Sequence, residues 1–121
     1  MQKTLDRNSR HVLREKWRPL IFDRDIYRCR ACGAGGSLEL AHITPIEVMR
    51  DAYSYTGVEW SFSWDNLVTL CRECHNCYNR SKRGFNYNLK SWQYRKIKAV
   101  NKLFFKLKQE RNQKFWGRVG G

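Results

Sequence analysis

The chain has 121 residues, 41% of them hydrophobic, and a formal net charge of +13. That length suits one domain with a small core, and no apolar run approaches the length of a membrane-spanning helix. Five cysteines, an odd number in two tight groups, argue against a disulfide framework, and the polar, charged N-terminus argues against a secretory leader, so a cytoplasmic location in the host cell is expected.

The charge is unevenly spread. Residues 1–28 carry 8 basic and 4 acidic side chains, residues 29–79 carry 3 and 6, and residues 80–121 carry 13 and 1. A slightly acidic, thiol-rich middle is thus flanked by basic arms. Such arms seek polyanions, most often nucleic acid, although ribosomal or membrane-surface binding asks for a similar charge.

In chain order, Val12, Leu13, Trp17, Leu20 and Ile21 recur at helical spacing over residues 9–24, with Pro19 predicting a break and a second short helix. Residues 28–36, RCRACGAGG, predict a tight turn. The stretch 37–46, SLELAHITPI, predicts a short strand and then a loop. A helix over 45–55 followed by a loop is expected next, then a second strand over 66–70, then a turn leading from Cys71 into a helix. From 88 to 115, Leu89, Trp92, Ile97, Val100, Leu103, Phe104 and Leu107 fall near one stripe. Lys90, Arg95, Lys96, Lys98, Lys102, Lys106, Lys108 and Arg111 make up a basic remainder. As one helix this tail would run about 40 Å. The fold class is α+β in a single domain over 1–121, with a core of about 20–80 and a basic helical extension of about 88–116.

Cys29-x-x-Cys32 and Cys71-x-x-Cys74 each offer two thiolates in one bite. Together they complete a closed tetrahedral site for a structural Zn²⁺, which can contribute about 10 kcal/mol or more to folding in a small domain. Free buried cysteines would not need this spacing twice, and a redox pair would not need the partner pair. Cys77 is left over and reads as a small buried apolar residue, with an alternative zinc ligand or a redox-sensitive thiol as the other reading.

If the segment after Cys71 is helical, His75 and Asn79 share a face one turn apart and can present an imidazole and an amide oxygen to a second metal. Asn66 precedes them, and His42 ends the first predicted strand. The series Cys29-x-x-Cys32, His42-Ile43-x-Pro45, Asn66-Leu67-x-x-Leu70-Cys71-x-x-Cys74-His75 resembles the HNH endonucleases over roughly residues 20–80. The resemblance implies a zinc-stapled ββα-metal core that cuts DNA with one divalent ion. It makes His42 the general base, Asn66 the residue that orients His42 through the loop between the strands, and His75 a ligand of the catalytic metal with Asn79 as another. Mg²⁺ or Mn²⁺ suits oxygen-rich coordination, and the histidine also admits Ni²⁺, Co²⁺ or Zn²⁺.

One position departs from that pattern. The family usually carries Asp or His as a metal ligand just before the catalytic histidine, and here Ala41 stands there. Glu39, a water, or a carboxylate from Glu47, Asp51 or Asp65 would have to take its place, or the protein binds DNA without cutting it. A non-catalytic zinc-stabilised DNA-binding module is therefore the alternative reading, although it leaves His42, Asn66 and His75 unexplained. Arg80, Lys82, Arg83, Lys90, Arg95, Lys96 and Lys98 are expected to contact phosphates without reading sequence. Small domains of this kind resemble phage, mobile-intron or restriction-associated nucleases. The expected partners are DNA and no membrane, with a homodimer or a phage accessory role in view, since one active site cuts one strand at a time.

Overall fold

A computed structural model of the chain describes residues 7–82, 84 and 89–119; the side chains of 7–9, 53–57 and 114–119 are outside the description. The elements are α1 (Arg7–Arg24), β1 (Leu38–His42), α2 (Ile46–Ser61), β2 (Leu67–Cys71), α3 (Arg72–Lys82) and α4 (Ser91–Val119). The two strands pair antiparallel, with His42 opposite Leu67 and Leu38 opposite Cys71.

Alternation along the strands sends side chains to two faces. Leu40 and Leu67 meet Ile21 of α1 and Ile46, Val58 and Phe62 of the α2 region. Ala41, Ile43, Val68 and Leu70 pack on the other side with Cys29, Cys74 and with Val100, Leu103 and Phe104 of α4. Helix α4 is thus built into the core, and its side chains pack with three of the four paired cysteines.

Three elements differ from expectation. Helix α1 is continuous through Pro19. A mid-helix proline costs about 3 kcal/mol, because its N–H is missing and its ring crowds the preceding turn. Here the ring lies on the exposed side, while Leu13, Trp17 and Ile21, spaced four apart, hold the helix against the core on both sides of it. Helix α2 runs to Ser61 rather than ending near 55, because Val58 and Phe62 bury themselves under the sheet. No turn separates β2 from α3: Cys71 ends the strand and Arg72 starts the helix.

The outer edge of β2 is covered by the segment that follows α1. The buried carboxylate of Asp25 accepts from Thr69 N at 2.9 Å and from Arg24 Nε at 2.9 Å. Arg24 Nη2 donates to Leu67 O at 2.7 Å, and Arg30 N donates to Thr69 O at 3.0 Å.

Candidate active site and metal centre

The thiols come together first. Cys29 and Cys32 lie on the turn after α1, Cys71 at the end of β2, and Cys74 in the first turn of α3. Their sulfurs all lie within 4.8 Å of one another, and among the described residues they are the one group of three or more His, Cys, Asp or Glu side chains already gathered around a common point. Cys32 Sγ and Cys71 Sγ are 3.7 Å apart. A tetrahedron with metal–sulfur bonds of ~2.3 Å has edges of about 3.8 Å. Backbone N–H groups of Cys32 and Cys74 point at Cys29 Sγ and Cys71 Sγ, at 3.5 and 3.4 Å. Gly33, at φ +84°, lets the first knuckle close with its N–H on Cys29 O. Four thiols this close do not ionise together without a cation. The hydrogen bond with Cys74 pulls Cys29 down to about 4, and the same pairing, with burial, pushes Cys74 up. Cys77 is buried on α3 outside the cluster, and burial pushes its thiol up.

A separate cavity of about 260 Å³ opens beside β1 and α3. His42, Glu47, His75, Asn79 and Lys82 line it with Ala41, against a wall that includes Tyr78 and Phe104. The strand end supplies His42, the first turn of α2 supplies Glu47, and successive turns of α3 supply His75, Asn79 and Lys82. The His42 ring stands edge-on to Phe62, with centroids 4.6 Å apart, and its Nε2 is buried without a hydrogen-bond partner. Burial lowers His42 to about 4, and the charges of Arg14, His75 and Arg10 add to the effect.

His75 Nδ1 meets Glu39 Oε1 at 2.9 Å, and Arg72 Nε lies 3.5 Å from the other oxygen of Glu39. Glu39 does share the face of Ala41, yet its carboxylate is engaged by His75 and does not line the cavity. Of the other carboxylates considered, Asp51 pairs with Arg50 on the surface and Asp65 lines a different cavity, beside Arg24 and Arg111, so Glu47 is the one at the histidines.

Asn66 is buried, and its side-chain hydrogen bonds go to groups other than His42. Its Nδ2 donates to Thr44 O at 3.1 Å and Ser61 O at 2.9 Å, and its Oδ1 accepts from Thr44 N at 2.8 Å. Ile43 N donates to Asn66 O at 2.8 Å. Asn66 therefore holds the two residues that follow His42. Arg111 of α4 joins it: Nη1 lies 3.2 Å from Asn66 Oδ1 and 3.4 Å from Thr44 Oγ1. Arg111 belongs by charge to the basic remainder of the tail, but it continues the inward stripe of Val100, Leu103, Phe104 and Leu107 at a spacing of four. That spacing is the signal in the sequence that marks it as inward-facing, masked by its charge.

The expected phosphate contacts are scattered. Arg80 is exposed on α3. Lys82 lines the cavity with Nζ 5.1 Å from the Tyr78 ring centre, and burial, aided by the charge of Lys108, lowers it. Arg83 lies outside the described residues. Lys90 is exposed just before α4, and Arg95 and Lys98 are exposed on it. With Lys102 and Lys106 the last two fall on the side of α4 opposite the buried stripe. Lys96 turns inward, its Nζ 3.5 Å from Glu73 and 4.0 Å from Cys74 Sγ.

Among the described residues no helix is long and apolar enough to cross a membrane. Residues 29–81 match the family model of the HNH endonucleases. No curated protein and no solved structure matches the chain. The matched span holds both C-x-x-C pairs, both strands, α3 as far as Ser81 and both cavity histidines, and over that span the chain is similar to the HNH endonucleases.

Proposed function

We propose that the protein is a metal-dependent DNA endonuclease stapled by a structural Zn²⁺ on Cys29, Cys32, Cys71 and Cys74. The observation that carries this reading is the convergence of His42 and His75 on one cavity from separate elements, with Asn79 and Glu47 beside them. His42 is the general base. An imidazole kept neutral by burial takes the proton of an attacking water in the cavity that it lines. Asn66 acts on His42 through the Ile43–Thr44 turn.

The donor set of the cavity fits a catalytic divalent ion. His75 has Nε2 to offer, because Nδ1 is engaged by Glu39, an arrangement that orients a ligating imidazole. Asn79 adds an amide oxygen, and Glu47 a carboxylate in place of the one that Ala41 lacks. Mg²⁺ or Mn²⁺, or the softer Ni²⁺, Co²⁺ or Zn²⁺, would there neutralise the scissile phosphate and the departing 3′ oxygen. Lys82 brings a further positive charge to the same cavity, and Arg80, Arg83, Lys90, Arg95 and Lys98 are assigned to phosphates along the duplex.

A second reading, a zinc-stabilised DNA-binding module, draws on Ala41, buried at 1% exposure with no donor to give. Supercoiled plasmid separates the two. With Mg²⁺ or Mn²⁺ the wild type is expected to nick or linearise it, with EDTA to leave it intact, and His42→Ala to be inactive while its zinc content is unchanged. A wild type that retards DNA in a gel yet leaves it uncut whichever metal ion is added belongs to the second reading.

A further inference from the structure

Thr44 is the second residue after His42, and it is held at more points than its short turn requires. Its N–H and C=O are both taken by the Asn66 side chain, at 2.8 and 3.1 Å. Asn66 in turn spends its second amide hydrogen on Ser61 O at 2.9 Å. An amide oxygen has two acceptor sites, and Thr44 N fills one. Arg111 Nη1, 3.2 Å away, fills the other, and the same guanidinium reaches Thr44 Oγ1 with both Nη1 and Nη2 at 3.4 Å. Arg111 is half-buried, lies outside the span 29–81, and comes from α4, whose outer side carries exposed lysines.

We propose that Arg111 is a positioning residue: it locks the Ile43–Thr44 turn, and through it fixes the imidazole of His42 at the cavity. This rests on the nuclease reading for its effect on rate. A charged donor bonded to a buried amide oxygen is a stronger tie than a neutral one. Its planar fork spans two acceptors, which a lysine ammonium at the same place does not. The turn thereby gains a support from a helix 45 residues further along the chain. Arg111 is not assigned to DNA, because its guanidinium is spent on the turn.

The test compares wild type with Arg111→Ala, Arg111→Lys and Thr44→Val in saturating-metal plasmid cleavage, with amide hydrogen exchange on the same samples. Arg111→Ala is expected to lower kcat about 10- to 100-fold with KM within about twofold, the scale typical of lost outer-shell support. The lysine variant should fall between the two. In the double variant, Thr44→Val should add little to Arg111→Ala, since both remove the same tie. Exchange at Ile43 and Thr44 should quicken while β2 and α3 keep their protection. An unchanged kcat overturns the proposal, as does a raised KM with a flattened salt slope, which would make Arg111 a phosphate contact. Should the alanine variant fail to fold, the lysine variant is read by the same criteria. Should the wild type not cut at all, the nuclease reading falls, and exchange at Thr44 alone decides the clamp: unaltered protection without Arg111 overturns it.

Discussion

The imidazole of His42 is edge-on to Phe62, with Nε2 buried and unpartnered and with Arg14, His75 and Arg10 adding positive field. Burial first, and then those charges, disfavour its protonated form, which lowers it from 6.5 to about 4. In the proposed role of general base His42 would work unprotonated, so a lowered value would extend activity toward acid. The kcat/KM of plasmid cleavage should stay nearly flat from pH 7 to 5.5, whereas a base at the ordinary ~6.5 would lose about tenfold by pH 5.5. An acid limb centred near 6.5 would show that His42 is not held as the structure has it. At this scale the sequence was informative where chemistry is carried by spacing: the paired thiols, and His75 with Asn79 on one helical face. It offered Glu39 as a stand-in metal ligand but gave no sign of its bond to His75. Strand alternation put Glu39 on the side of Ala41, which is correct, but its bond to His75 depends on where α3 crosses the sheet.

Among the elements, α1 and the sheet are joined by a small set of polar groups. Asp25 takes Thr69 N and Arg24, and its side chain is 2% exposed, with Arg30 Nη1 3.6 Å away. Replacing Asp25 with Ala would leave a buried amide and a guanidinium without their acceptor. The loss of stability should be about 3 kcal/mol, read from denaturant midpoints with the slope unchanged. A loss within about 0.5 kcal/mol, the size of an ordinary surface change, would mean that α1 is held by apolar packing alone. The strands, α3 and the long tail helix were legible from periodicity and from the resemblance. The continuity of α1 was not, because a local rule about proline does not include the burial of Trp17 and Ile21 on either side of it.

For the molecule as a whole, three of the paired thiols share a cluster with Val100, Leu103 and Phe104, so the four-thiol site and α4 belong to one core. A tail read from charge alone resembled an appended arm. Only the docked stripe reveals that it supports the fold. Chelation of the metal should therefore expose α4 to protease at the same chelator concentration that releases zinc from the thiols. Separate transitions would make α4 an independent unit. The covered edge of β2 has a further meaning at this scale. Leu67 O, Thr69 N and Thr69 O already have partners in Arg24, Asp25 and Arg30. A two-stranded sheet with such a margin left open would recruit a strand from any neighbour. Here the chain's own turn acts as a selvedge, so on that side the sheet is closed to growth. A second copy working on the opposite DNA strand would have to meet the first elsewhere.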